Sequence, residues 1–222
     1  MADENNYSSG LISESGGAAG VLRLRRILKD RRAKIGVYDI MTLLHDLVYI
    51  LAAVVLVFSF FIRVVNVDGA SMEPTLQERD QLVLLSNLWY RQPQRGDIVV
   101  ARIPDFSDEP IVKRVIAVEG DEVFIDFEKG TVSVNGMLLE EAYVTGPTTR
   151  YFAKRPLDFP VTIEEGCVFL LGDNRSVSVD SRYAVIGQVD QRYILGKVIY
   201  LMLPGSDEAT HIRDYDRIGA VD

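Results

Sequence analysis

The sequence is short of the residues from which most hydrolytic and metal sites are assembled. Among 222 residues there are one cysteine, two histidines and one tryptophan. Cys167 has no partner for an intramolecular disulfide. Its run, Cys167-Val168-Phe169-Leu170-Leu171, offers neither a basic neighbour nor a helix start to lower a thiol pKa. It reads as a small buried hydrophobe. His45 and His211 lie near the apolar N-terminal stretch and the C-terminus, without metal-ligand spacing or an obvious serine partner. Zinc and a His-based triad are therefore not expected, and neither is a cofactor. Positive charge is scarce as well: the net charge of -8 argues against a general affinity for nucleic acid.

What is present is apolar surface, at 48% hydrophobic residues enough for one good core with a membrane segment and a tail besides. Residues 1–20 are mostly Ser, Gly, Ala, Asn and Glu, a composition that predicts disorder. A basic block follows: Arg23, Arg25, Arg26, Lys29, Arg31, Arg32 and Lys34. Leu47–Ile62 then carries no charge, yet at ~1.5 Å per residue it spans only about 24 Å against a ~30 Å hydrocarbon core. Starting at Ile40 gives about 34 Å and brings His45 and Asp46 to the inner interface, with Arg63 snorkelling at the outer one. A buried core helix and a cleaved signal peptide are the other readings. The basic block before a segment that runs straight into a strand favours a signal anchor with its N-terminus inside. The expected division is 1–34 tail, 35–62 membrane segment and 63–222 outer domain.

That outer domain reads as strands, by period-two alternation and turn residues. Beyond Val64–Val67 these are Gln81–Leu85, Asp97–Ile103, Ile111–Val118, Glu122–Phe127, Thr131–Val134 and Cys167–Leu171. Glu128-Lys129-Gly130 and Asn135-Gly136 mark turns, the second a tight-hairpin pair. Tyr143–Glu165 looks like an excursion from the sheet, and Gln191–Leu203 is ambiguous between strand and helix. The fold class is mainly β, antiparallel. Of the 24 basic and 32 acidic residues, 17 and 26 lie beyond Ile62, so this domain is acidic by about -9.

The stretch with chemistry in it is Gly69-Ala70-Ser71-Met72-Glu73-Pro74-Thr75-Leu76, where Gly69 and Pro74 end a strand and constrain a turn. Taken alone, Ser71 is an ordinary turn serine and Lys113 a solvated strand lysine. A serine hydroxyl needs an adjacent base, and with no suitable histidine that base would be a neutral lysine. Within Ile111-Val112-Lys113-Arg114-Val115-Ile116, alternation puts Lys113, Val115 and Ala117 on one face and Arg114 on the other. Desolvation there would lower the lysine pKa.

Four motifs in order decide between these readings: Ser71-Met72-Glu73-Pro74-Thr75, Arg95-Gly96-Asp97-Ile98-Val99, Lys113-Arg114-Val115 with Gly120-Asp121, and Gly172-Asp173-Asn174-Arg175-Ser176-Val177-Ser178-Val179-Asp180-Ser181-Arg182. Together, over roughly residues 40–200, they resemble the bacterial type I signal peptidases, in their Gram-positive-like single-span form. The resemblance implies a coiled-sheet catalytic domain and a membrane-bound Ser-Lys serine endopeptidase. By that resemblance Ser71 attacks the scissile carbonyl, and Lys113 is the base and then the acid. Ser178 orients the lysine amine, while Asp180, Arg182, Asp173 and Arg114 brace the site. Gly69 occupies a position where some members carry a serine that helps bind the oxyanion, so the Ser71 N–H is one donor and the second is left open. Arg175-Ser176-Val177-Ser178 departs from the Asp-Asn that many relatives place before the second serine.

Partners implied are secretory preproteins with small residues before the cut, and the lipid bilayer. The implied location is the cell membrane, single-pass, with the N-terminus cytoplasmic and the catalytic domain outside. Two alternatives remain open: a related Ser-Lys protease dedicated to a special precursor, such as a pilin-like one, and an inactive membrane-anchored β-domain that only binds. A self-cleaving repressor is disfavoured by the membrane segment.

Overall fold

A computed structural model of the chain describes residues 15–104, 106–150, 155–206 and 212–221. It divides into two compact units, one ending at Val55 and one beginning at Leu56. Helix α1 runs Ser15–Phe60. Within it, Gly36–Phe60 is 25 residues, long and apolar enough to cross a membrane by length and composition. Its side chains are exposed all round, among them Tyr38, Leu43, Tyr49, Leu51 and Phe58. That pattern suits a lipid solvent rather than one buried stripe.

The helix begins earlier than the composition suggests. Residues 15–34, read as tail, are helical, while 1–14 lie outside the described residues. Leucine, arginine and lysine between 22 and 34 are good helix formers, and no proline interrupts them before the apolar stretch.

The larger sheet is antiparallel throughout. In spatial order its strands are β1 (Ile62–Asn66), β2 (Gln81–Ser86), β11 (Ile194–Leu203), β3 (Ile98–Ala101), β4 (Ile111–Val118), β9 (Cys167–Leu171) and β10 (Val189–Asp190), with β12 (Gly219–Ala220) also on β11. The smaller sheet has the order β7 (Met137–Leu138), β6 (Thr131–Val134), β5 (Glu122–Asp126) and β8 (Val161–Thr162). Asn135-Gly136 joins β6 to β7 with φ of 53° and 76°, the left-handed pair that matches hairpin twist. The ambiguous 191–203 stretch resolves into a single 3-10 turn, Gln191–Tyr193, followed by a ten-residue strand. Alternating burial over Ile194–Val198 fixes the face that β11 presents to the core.

Three apolar clusters hold the sheets. The first joins Leu82, Leu84, Ile98, Val100, Val198 and Leu201 to Met72 and Leu76 from the Ser71 turn. The second contains Val99, Val115, Val168 and Leu170. The third contains Ile116, Ala117, Val123, Val132 and Phe169. Truncating one such buried Leu or Phe to Ala typically costs about 2–5 kcal/mol.

β4 departs from simple alternation. Its register to β9 slips between Val115 and Ala117, so Ala117 falls into the third cluster rather than joining Val115 in the second. A bulge adds a residue on one strand and reverses the face of everything beyond it. Lys113, Arg114, Val115, Ile116 and Ala117 are all buried, because β4 is covered on both faces.

Candidate active site

Ser71 stands on the turn that follows β1. Gly69, with φ of +83°, bends the chain out of the strand in a conformation that L side chains avoid. Beyond the hydroxyl, Met72 is 1% and Leu76 0% exposed, and Leu76 N–H donates to Met72 O at 3.0 Å. Two apolar plugs thus pin the turn from below while Ser71 stays part-exposed. The Glu73–Pro74 peptide is cis.

Lys113 approaches from β4, paired in the sheet with Val99. Its Nζ lies 2.7 Å from Ser71 Oγ and donates to Val112 O at 2.9 Å. Burial pushes its pKa down from the ordinary value of 10.5 to about 8, with the Asp180 and Asp173 charges opposing the fall and Arg182 aiding it. An amine in this setting gives up its proton far more readily than one in water.

The loop after β9 closes the site. Gly172 packs so tightly that a Cβ there would collide with both Ser178 Oγ and the Ser71 carbonyl oxygen. Asn174 N–H donates to Ser71 O at 3.0 Å, tying loop to turn. Ser178 Oγ is buried and has no hydrogen-bond partner among the described residues. It faces Gly172, where an added Cβ would collide with it. Asp173 takes a two-pronged bond from Arg114 at 2.9 and 2.8 Å and accepts from Thr75 Oγ1 at 2.6 Å.

Asp180 and Arg182, both 0% exposed, form the loop's internal frame. Arg182 Nε and Nη2 donate to the Asp180 carboxylate at 2.7 and 3.0 Å. Its remaining N–H groups reach Thr149 O, Arg175 O and Ser178 O at 2.9, 2.9 and 3.0 Å, so all five donors are used. Read from the sequence alone, these four charges look like surface ion pairs; all are buried. A buried charge is tolerated only when paired in this way.

Four contributors carry no local sequence signal. Arg175 is fully buried and bonds Glu141, Thr148 Oγ1 and Gly172 O, and Tyr143 lies under the Arg114 guanidinium at 4.0 Å. Tyr143 opens the irregular excursion and Glu141 lies just before it, and each meets its partner across about thirty residues of chain. Only the acid pair Glu140-Glu141 and the aromatic after it could have hinted at them. Cys167 is half-buried against the third cluster, where burial raises its thiol pKa. Of the two histidines, His45 stacks edge-on with Tyr49 in α1, and His211 lies outside the described residues. Among the described residues no group of three His, Cys, Asp or Glu side chains could hold a metal ion.

The chain is similar to known proteins over much of its length. A family model described as signal peptidase, peptidase S26, matches residues 40–203. A probable signal peptidase I-2 of Synechocystis sp. is 36% identical over 146 residues, covering 62% of this chain and 62% of that protein. Signal peptidase I of Bacillus licheniformis is 32% identical over 154 residues, covering 67% of this chain and 81% of that one. Signal peptidase IB of Staphylococcus aureus is 32% identical over 184 residues, with 74% of this chain and 92% of that one covered. The matched span takes in the apolar helix, the Ser71 turn, β4 and the loop after β9, and on that extent the chain belongs to the signal peptidase family, peptidase S26.

Proposed function

We propose that this chain is a membrane-held serine endopeptidase that removes N-terminal signal peptides from secreted preproteins, with Ser71 as nucleophile and Lys113 as base. The observation that carries the assignment is the 2.7 Å contact between Ser71 Oγ and the buried Lys113 Nζ. Neutral Nζ takes the hydroxyl proton as Oγ attacks the scissile carbonyl. It then returns the proton to the departing amine, and water hydrolyses the acyl-enzyme by the same relay. The Ser71 N–H is one donor for the oxyanion. Gly69 presents no side chain toward it, so the second donor is another N–H or a water.

Ser178, buried with its hydroxyl unpaired among the described residues, on this reading orients the lysine amine, while Asp180, Arg182, Asp173 and Arg114 hold the two halves of the site in register. A preprotein would bind extended beside a strand, with small side chains before the cut. The helix Gly36–Phe60 would anchor the enzyme in the cell membrane, with the basic block on the cytoplasmic side and the peptidase domain outside.

The test is cleavage of a synthetic preprotein by the full chain in detergent. Wild type should release the signal peptide, and Ser71→Ala and Lys113→Ala should each be inert while keeping the native melting transition. Because the pair acts as a unit, the double variant should lose no more than either single one. Near-normal turnover in either single variant would refute the dyad.

A further inference from the structure

The chain beyond Leu203 lies outside the span that the family model matches, yet it reaches back to the turn that carries Ser71. That turn belongs to a loop whose ends meet: Val67 N–H donates to Asp80 O at 2.8 Å, and Arg79 N–H to Val67 O at 2.9 Å. Asp80, 0% exposed, gathers four donors at the loop's base. Gln77 N–H and Gly205 N–H each approach at 2.7 Å, and the Arg217 guanidinium at 3.1 and 2.7 Å.

Arg217 does more than pair with Asp80. The same guanidinium donates to Gln77 Oε1 at 2.9 Å and to Thr75 O at 3.3 Å, spanning the loop from base to middle. Thr75 is thus gripped on both sides, since its hydroxyl donates to Asp173 at 2.6 Å. The segment bearing Arg217 is itself fastened. Asp214 caps the short 3-10 turn Tyr215–Arg217, β12 pairs with Tyr200 and Leu201 of β11, and Val221 packs on the first cluster. Gly205 seats the return of the chain, where a Cβ would strike Glu78 O.

We propose that the C-terminal segment 212–221 is a clamp on the nucleophile turn, and that Arg217 is a positioning residue for Ser71. It touches neither substrate nor the reacting atoms. It holds Thr75, and through the turn the Ser71 hydroxyl, at the separation from Lys113 that proton transfer needs. A guanidinium can bond Asp80 and Thr75 O at once because its donors are fixed in one plane, and an ammonium in the same place cannot span both. Small misplacements of a nucleophile cost rate out of proportion to their energy.

The experiment rests on the peptidase reading and separates the two. Full-length wild type, Ser71→Ala, Arg217→Lys and Arg217→Gln are assayed in detergent for single-turnover cleavage of a synthetic preprotein, alongside melting temperature. In Arg217→Lys the rate at saturating preprotein should fall about 10-fold, and in Arg217→Gln about 100-fold, with the half-saturating concentration unchanged within about twofold. Asp80→Asn combined with Arg217→Lys should lose less than the sum of the single losses. A wild-type rate in Arg217→Lys overturns the clamp whatever its melting temperature. So does a loss seen only as weaker half-saturation. Cleavage by Ser71→Ala would instead sink the peptidase reading itself.

Discussion

At Lys113 one atom carries two opposed demands. On the proposed dyad the amine must be neutral to act, and burial eases the loss of its proton while its hydrogen bonds go to the Ser71 hydroxyl and the Val112 carbonyl. With a pKa of about 8 in the folded chain, activity should climb along a single limb centred near pH 8 and level off above it. The unfolded chain holds its lysine proton up to the ordinary value of 10.5, so between about 8 and 10.5 it binds more protons than the folded one, and stability rises with pH across that window. Below pH 8 both states hold the proton, and the folded state bears the full desolvation cost, on the order of 3 kcal/mol. Lys113→Met should therefore be inactive yet melt higher than wild type at pH 7, with the gain shrinking as pH rises from about 8 to 10.5. Titrating single-turnover rate and melting temperature on the two proteins checks both halves. A rate limb near pH 6 would point to a histidine.

Among the elements, the loop 172–182 meets the turn at its tightest point. Gly172 is needed there for space, not for an unusual φ, since its absent Cβ is what lets Ser178 and the Ser71 carbonyl pack against the same backbone. Gly172→Ala should lower cleavage at least 100-fold while leaving the sheet intact, read as lost turnover with an unchanged far-UV spectrum. The strands β2, β4, β5, β6 and β9 were legible because alternation and turn residues are local signals, and Asn135-Gly136 declared its hairpin outright. The motif residues around the proposed dyad were picked out through the resemblance. What lay beyond reach was set by distant partners. The bulge that turns Ala117 to the other cluster depends on β9, and Arg175 finds Glu141 only in the folded chain. The two-residue strands β8, β10 and β12 are too short to show a period.

For the molecule as a whole, the open test is orientation. Single-cysteine probes in a Cys167→Ser background, one at residue 10 and one at residue 145, should report opposite sides of the membrane, with residue 145 reached by an impermeant reagent from outside. External labelling at residue 10 with protection at 145 would reverse the topology and remove the secretory role. The acidic character of the chain beyond Ile62 argues against broad adhesion to anionic headgroups, so on the proposed topology the helix would be the hold on the bilayer.

Strand β1 begins two residues after α1 ends, and Ser71 follows nine residues later. An embedded enzyme of this build and a preprotein held by its own apolar segment share a surface, so their encounters are counted per unit area, not per unit volume. In reconstituted vesicles, diluting the suspension with buffer should leave the processing rate unchanged, whereas fusing in empty lipid should slow it in proportion to the added area. A chain released from its helix would show the reverse dependence, losing rate with every dilution of the bulk.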